Sequence, residues 1–211
     1  MGSASRSDLN GAFVSRTYSP IDRSPKSLVR RSAQYLAALL MACAVVWLLG
    51  QFVVAPTQIQ GISMQPTLHT GDVLLEWKWP LTWARITNSQ YIPARGDIIT
   101  VAKTPILGEA LVKRVIGEPG DQVVIKSGTV TIYNTLKPFG FNPDAAYGKN
   151  LSPTDGDFTT SVDAGTVFVM GDNREPGASI DSRSSLGDVS SSNITGRVFV
   201  RVYPFDQFGF F

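Results

Sequence analysis

The segment 110-ALVKRVIGEPGDQVVIKSGTVTIY-133 decides the fold class, because turn residues separate its short β-branched runs. Runs of this composition and length, bounded by Gly, Pro, Asp and Ser, are typical of strands. Pro119 and Gly120 occupy the two central positions of a type II turn, and Ser127 and Gly128 separate two β-rich runs as a hairpin turn does. The segment therefore predicts strands joined by tight turns.

Similar β-rich runs lie on both sides of this segment, at residues 72–78, 96–103, 165–172 and 196–203. Residues 134–165 differ, because they are dense in Pro, Gly, Asn and Asp. That composition indicates a long excursion from the sheet rather than a second independent domain. We predict a mainly β region over residues 55–211.

An uncharged apolar run precedes the β-rich region. No Asp, Glu, Lys or Arg occurs from Ser32 to Gly71, and residues 33–54, AQYLAALLMACAVVWLLGQFVV, are mostly apolar. As a helix this run would extend about 33 Å, enough to cross a hydrocarbon core of about 30 Å. It predicts one transmembrane helix in preference to a cleaved targeting segment, a lipoprotein box at Cys43 or a buried soluble helix, which would rarely lack charge for so long.

The charges around the run predict its orientation. Residues 1–31 carry six Lys or Arg against two Asp, and no basic residue follows the run until Lys78. The positive-inside bias then gives a single-pass protein of the cell membrane with its N-terminus in the cytoplasm. We expect residues 1–32 to form a disordered basic cytoplasmic tail, residues 33–54 the transmembrane helix, and residues 55–211 an extracytoplasmic domain.

Composition argues against other classes of site. Residues 32–211 hold thirteen basic and fifteen acidic side chains without a basic stripe, which argues against nucleic-acid binding. The lone Cys43 excludes an intrachain disulfide and a cysteine metal cluster. We therefore expect no nucleic-acid partner and no metal.

Ser63, in 60-QGISMQPTLHTGD-72, is a candidate nucleophile that needs a base to take its proton. His69 is the only histidine of the chain, and its setting LHTGD is typical of a solvated turn. The other class of base is a neutral lysine. His69 and a lysine both stay open on this reasoning alone.

Lys113 has a distinctive setting among the lysines. Strand alternation in LVKRVIG places it on one face with Leu111 and Val115, so apolar side chains flank it. Burial lowers the pKa of a lysine, which would make the amine a usable base. Arg114 lies on the opposite face, where we expect it to pair with a carboxylate.

Four boxes follow the apolar run in a fixed order: GISMQPTL at 61–68, RGDII at 95–99, LVKRVIGEPGD at 111–121 and GDNREPGASIDSR at 171–183. Together they resemble the type I signal peptidase, or leader peptidase, family of membrane serine proteases. The resemblance implies Ser63 as nucleophile and Lys113 as base. It also implies an antiparallel β catalytic region in two parts, which rests on the bilayer and cleaves secretory preproteins after small residues at positions −1 and −3.

The resemblance implies supporting roles as well. Ser179 would hydrogen-bond to the Lys113 amine and orient it. The remaining assignments are an ion-pair scaffold of Arg114, Asp181 and Arg183, and a tight turn beneath the site formed by Gly171, Asp172 and Asn173.

Two features depart from the family pattern. Gly61 stands where some members carry a hydroxyl residue, so backbone N–H groups, including that of Ser63, would bind the oxyanion. The connection before Ser179 is two residues longer than usual, and the turn pair Pro176 and Gly177 predicts that it bulges into solvent.

The expected partners are secretory preproteins and the lipid bilayer, with no metal or organic cofactor. Ile62 and Met64 beside Ser63 are expected to bind substrate and to contact lipid. The aromatic tail at 203–211 and residues 77–83 fit either lipid contact or ordinary packing over the β core.

Two other functions stay open. One is a specialised peptidase of the same mechanism that serves pilus or surface-protein assembly, and nothing in the sequence separates it from a general signal peptidase. The other is a catalytically silent, membrane-tethered peptide-binding protein, against which the intact Ser63 and Lys113 argue.

Overall fold

The computed structural model describes residues 25–102, 110–147 and 151–211, so most of the predicted cytoplasmic tail lies outside the described residues. The apolar run forms helix α1 (Pro25–Phe52). Within it, Leu28–Phe52 has a mean hydropathy of 2.0 and is long and apolar enough to cross a membrane. The helix begins at Pro25 rather than at residue 33, because proline suits a first helical position and nothing up to Arg31 breaks a helix.

The strands lie in one compact unit, Val45–Phe211. A second helix, α2 (Trp79–Ile86), also belongs to it. In the described residues the strands are β1 (Val54–Gln58), β2 (Val73–Trp77), β3 (Ile98–Val101), β4 (Leu111–Gly117), β5 (Gln122–Lys126), β6 (Thr129–Asn134), β7 (Lys137–Phe141), β8 (Phe158–Ser161), β9 (Thr166–Met170), β10 (Val189–Ser190), β11 (Ile194–Tyr203) and β12 (Gly209–Phe210).

These strands form two antiparallel sheets, which confirms the predicted mainly β fold in two parts preceded by an apolar helix. The larger sheet has the order β1-β2-β11-β3-β4-β9-β10, with β12 added to β11. The smaller sheet has the order β7-β6-β5-β8. Strand β4 leaves the larger sheet through the turn at Gly120, whose φ is +86°, and enters β5 of the smaller one.

Strand β4 contributes to the hydrophobic cores of both sheets. Val115 packs with Ile99 and Val169 in one cluster. Ile116, its neighbour in sequence, packs in the other cluster with Val123 and further residues of the smaller sheet. Burial on both sides fixes the register of β4, because a slip of one residue would exchange its two faces. This register sets the position of Lys113.

The excursion at 134–165 contains more structure than its composition suggests. Strands β7 and β8 are the two edges of the smaller sheet, and a 3-10 helix, Pro143–Tyr147, follows β7. Edge strands of this kind are stabilised by pairing with β6 and β5 rather than by their own propensity, which is why composition did not reveal them.

The two aromatic segments do not simply pack over the core. Residues 79–83 belong to α2, which buries Leu81 but leaves Trp79 44% and Trp83 54% exposed. In the tail, β12 pairs with β11, yet Phe205 is 82% and Phe210 is 74% exposed. Ordinary core packing therefore does not describe these four rings, because each of them keeps more than two fifths of its surface exposed.

Candidate active site

The predicted nucleophile and base meet in the structure. Ser63 lies in the turn-rich loop between β1 and β2, and Lys113 lies in β4. The Lys113 Nζ atom donates a hydrogen bond of 2.8 Å to the Ser63 Oγ atom. This distance allows direct proton transfer between the two groups.

Lys113 is only 1% exposed. Its flanking residues Leu111 and Val115 pack in or against an apolar core, and its partner across the sheet is the fully buried Ile99. Removal from water disfavours the charged form of an amine. Burial beside the Ser63 hydroxyl is the setting that the predicted role of Lys113 as a base requires.

The backbone of Ser63 is held by the turn at 171–173. The backbone N–H of Asn173 donates to the Ser63 carbonyl oxygen at 3.0 Å, and the Asn173 side-chain amide donates to the Ile62 carbonyl oxygen at 3.2 Å. Gly171 packs so closely that a Cβ atom there would collide with the Ser63 carbonyl oxygen and the Ser179 Oγ atom. The turn predicted to lie beneath the site is therefore in direct contact with Ser63, the predicted nucleophile.

Two buried carboxylates brace this turn, in two separate ion pairs rather than one scaffold. Arg114 donates to both oxygens of Asp172, from Nε at 2.7 Å and from Nη2 at 2.5 Å, and Thr67 also donates to Asp172. Asp181 accepts from Arg183 at 3.0 and 2.9 Å and from the backbone N–H of Gly171 at 3.4 Å. The expected pairing of Arg114 with a carboxylate is confirmed, and its partner is Asp172.

Ser179 lies beside the site without the expected hydrogen bond. Its Oγ atom is buried against Gly171 and has no hydrogen-bond partner among the described residues. The expected bond to Lys113 is therefore absent from this structure, in which the Lys113 amine is directed at Ser63. The longer connection before it does reach solvent, since Glu175, Pro176 and Gly177 are all exposed. An orienting role of Ser179 stays a prediction.

The two predicted substrate contacts differ in exposure. Ile62 is 53% exposed, whereas Met64 is 2% exposed and packs in an apolar cluster with Leu68. Met64 and Ser63 line a cavity of about 230 Å³ together with Thr100. The expected contact of Met64 with lipid is wrong, because the side chain points into the β core rather than out of it.

His69 does not belong to this cluster. It is exposed, and its backbone N–H donates to the Asp72 carboxylate at 3.1 Å, as in a turn. Gly61 has a φ of +87° with open space around its Cα, and its carbonyl oxygen accepts from the Thr70 hydroxyl at 2.7 Å.

Comparison with known proteins identifies the family. The model of the family described as signal peptidase, peptidase S26, matches residues 32–203. The chain belongs to this family. The resemblance carried by the four boxes is thereby confirmed, over most of the chain.

The relatives of this S26 family member include several signal peptidases. Signal peptidase I of Bacillus amyloliquefaciens is 34% identical over 86% of this chain and 92% of its own length. Signal peptidase IB of Staphylococcus aureus is 28% identical over 83% and 91%, respectively. A crystal structure of a signal peptidase I from Enterococcus faecalis shares 32% identity over 52% of this chain and 98% of that chain, with a TM-score of 0.40.

Sequence reasoning missed two supporting contacts in this family member. The hydroxyl of Thr67 binds Asp172, and the fully buried Arg174 binds the Gly171 carbonyl oxygen at 2.8 Å. Both residues lie inside the recognised boxes. A charged residue between two turn-forming stretches, as Arg174 is in GDNREPG, is usually solvated, so no local signal predicted its burial. Among the described residues no group of His, Cys, Asp and Glu is arranged to hold a metal ion.

Proposed function

We propose that this chain is a membrane-bound endopeptidase that removes N-terminal signal peptides from secretory preproteins with a Ser63–Lys113 dyad. The observation that carries the proposal is the 2.8 Å contact between the buried Lys113 amine and the Ser63 hydroxyl. The signal peptidase I relatives supply the substrate class.

The chemistry begins with an uncharged Lys113. The Ser63 hydroxyl transfers its proton to the Nζ atom, and the Oγ atom attacks the carbonyl carbon of the small residue at −1 of the preprotein. Protonated Lys113 then gives its proton to the leaving amine, which breaks the C–N bond and leaves the signal peptide as an ester on Ser63. A water molecule activated by Lys113 hydrolyses the ester and restores the dyad.

Backbone groups are the proposed oxyanion donors. Gly61 offers no hydroxyl two positions before the nucleophile, so the N–H of Ser63 is the donor we assign to the developing negative charge. Its direction depends on the peptide plane that the Ser63 N–H shares with the Ile62 carbonyl group. That carbonyl oxygen accepts a hydrogen bond of 3.2 Å from the Asn173 side-chain amide.

The cavity beside Ser63 is the place that we assign to the substrate side chains at −1 and −3. The cavity has a volume of about 230 Å³, and Met64, Thr100 and Leu111 line it together with Ser63. We assign this cavity, with the exposed Ile62 at its approach, to the substrate residues before the scissile bond. Ala, Gly and Ser side chains at −1 and −3 are the ones we expect to be accepted.

We further propose that the helix Leu28–Phe52 spans the membrane with its basic N-terminal side in the cytoplasm and residues 55–211 outside. An anchored enzyme then meets substrates whose signal peptides are themselves held in the bilayer. Confinement of both to one surface raises their effective concentration.

Cleavage of a purified preprotein bearing Ala-x-Ala tests the proposal. The full chain, in lipid vesicles, is expected to release a mature protein whose N-terminus, read by mass spectrometry, follows the second alanine. A matched preprotein with Phe at −1 should be cut at least about 100-fold more slowly, because the resemblance to type I signal peptidases implies cleavage after small residues. Binding of the preprotein without cleavage would favour a silent peptide-binding protein instead.

A further inference from the structure

Arg174 is a fully buried cation between the excursion and the active-site turn. Its Nη1 and Nη2 atoms donate to the two carboxylate oxygens of Asp144 at 2.8 and 2.6 Å. Asp144 lies in the 3-10 helix Pro143–Tyr147, within the excursion at 134–165. A charge buried to this degree is tolerated only when it is paired and hydrogen-bonded, and Asp144 supplies the opposite charge.

The same guanidinium reaches the turn beneath Ser63. Its Nε atom donates to the Gly171 carbonyl oxygen at 2.8 Å, and Nη1 also donates to the Thr154 hydroxyl at 2.9 Å. One planar group thus joins two points of the excursion to one point of the turn. Because a guanidinium is rigid, the position of Asp144 constrains the position of Gly171.

The turn transmits this constraint to the nucleophile. Gly171 touches the Ser63 carbonyl oxygen, and the N–H of Asn173 is hydrogen-bonded to the same oxygen. A path of direct contacts therefore runs from the Asp144 carboxylate through Arg174 and the turn to the peptide group of Ser63.

We propose that the Asp144–Arg174 pair is a positioning device, through which the excursion sets the orientation of Ser63 without touching substrate. The inference rests on the proposed function, since it takes Ser63 as the nucleophile. Asp144 and Thr154 are positioning residues of this device, and Arg174 connects them to the site. The role gives a purpose to the excursion that composition alone did not suggest.

The first test compares Asp144→Asn with a matched ion-pair control. Asp121→Asn is the control, because Asp121 is a buried carboxylate that binds Arg95 at 2.5 Å, and among the described residues its side-chain hydrogen bonds go to Arg95, Glu118 and Asn134 rather than to residues 171–173. We expect Asp144→Asn to lower kcat about tenfold with KM nearly unchanged. A misplacement of about 1 Å at a reacting group can lower the rate roughly hundredfold, and loss of one ion pair should displace Ser63 by less than that. Asp121→Asn should lower the melting temperature comparably and leave kcat within about twofold of wild type.

A double-mutant cycle separates positioning from general destabilisation. Asn173→Ala removes the side-chain bond to Ile62 at the other end of the path. If Asp144 acts through the turn, the losses of log kcat for Asp144→Asn and Asn173→Ala should be clearly less than additive in the double variant, while independent effects add. Thr154→Val removes the hydroxyl that accepts one hydrogen bond from the Arg174 guanidinium, and the paired charge of Asp144 remains. It should lower kcat about threefold, and it tests the proposal if Asp144→Asn does not fold.

Two results overturn the inference. The first is a kcat for Asp144→Asn and Thr154→Val that equals that of the Asp121→Asn control, with full additivity in the cycle. The second comes from Ser63→Ala in the same series: retained cleavage by that variant would remove the proposed nucleophile, and the positioning role with it. Loss of cleavage by Ser63→Ala together with unaffected Asp144→Asn would reject only the positioning role.

Discussion

The backbone N–H of Asn173 donates to the carbonyl oxygen of Ser63 at 3.0 Å, so the last of the four boxes holds the first. Ser63, the proposed nucleophile, lies outside regular secondary structure, in the loop between β1 and β2. Its orientation toward Lys113 is therefore determined by the turn at 171–173, which is far away in sequence but in contact with it, and by the register of β4. Substitutions in that turn should affect catalysis although none of its side chains is proposed to react.

Gly171→Ala tests the contact between the turn and the nucleophile. The added Cβ would collide with the Ser63 carbonyl oxygen, which must then move. We expect kcat to fall about 100-fold, as for a displacement of about 1 Å at a reacting group. Cleavage rates of a preprotein at saturating concentration measure this effect.

Gly209→Ala is the matched control for Gly171→Ala. Its nearest contact, the Gln207 carbonyl oxygen, lies 3.9 Å from the added Cβ, so the substitution introduces no collision. We expect wild-type kcat for this variant. Equal rates for the two alanine variants would show that the turn does not position Ser63.

Asp172→Ala tests the buried ion pair. The substitution leaves the Arg114 guanidinium without its bidentate partner and the Thr67 hydroxyl without its acceptor. We expect the free energy of unfolding of the β region to fall by about 3–5 kcal/mol, the usual effect of breaking a buried pair. Denaturant titration of the detergent-solubilised chain, followed by tryptophan fluorescence, measures the change.

An exposed pair provides the comparison for Asp172→Ala. The Arg197 side chain is 36% exposed and binds Asp97 at 3.0 Å. Arg197→Ala should lower the free energy of unfolding by less than about 1 kcal/mol, because solvent screens the pair. If Asp172→Ala also lowered the free energy of unfolding by less than about 1 kcal/mol, the Arg114–Asp172 pair would not be a major source of stability.

The sequence predicted the fold where its signals are local. The turn at Gly120 and the hairpin at Ser127 and Gly128 were predicted because positive φ angles favour glycine, and the structure has φ of +86° and +81° at the two glycines. Strands β7 and β8 were missed, since pairing with neighbours stabilises them in spite of an unfavourable composition. Helix α1 was predicted by its uncharged apolar length, but its first turns extend into the basic segment.

The site was predictable in part for a similar reason. Alternation in β4 placed Lys113 between apolar neighbours, and its burial follows from that pattern. The partner of Arg114 and the burial of Arg174 depend on chain segments far apart in sequence, so no periodicity indicates them. The expected hydrogen bond of Ser179 came from the resemblance alone, and this chain has a longer connection at that point.

Asp188 provides a prediction about pH and stability. Burial, and secondly the nearby charge of Asp163, raise the pKa of the Asp188 carboxyl above its ordinary value of 3.8. The fold therefore disfavours the ionised form of Asp188. The contribution of this group to stability is fully present below the pKa that the carboxyl has in the unfolded chain, and it is lost as the pH rises through the raised pKa of the folded state. Asp188→Asn should raise the melting temperature near about pH 7, and the gain should shrink toward about pH 4.

A matched substitution checks the cause of this effect. Asp163 is exposed, and Asp163→Asn removes its charge while the burial of Asp188 remains. We expect a smaller gain from Asp163→Asn than from Asp188→Asn, because burial is the larger cause. A gain for Asp188→Asn that does not vary between about pH 4 and pH 7 would contradict the explanation by ionisation.

The most direct test of the Ser-Lys mechanism is cleavage of an Ala-x-Ala preprotein in lipid by wild type, Ser63→Ala, Lys113→Met and His69→Ala. The 2.8 Å contact predicts that the first two variants lose activity while remaining folded, and that His69→Ala cleaves at the wild-type rate. An inactive His69→Ala beside an active Lys113→Met would contradict the mechanism, because the base would then be the exposed histidine rather than the buried lysine.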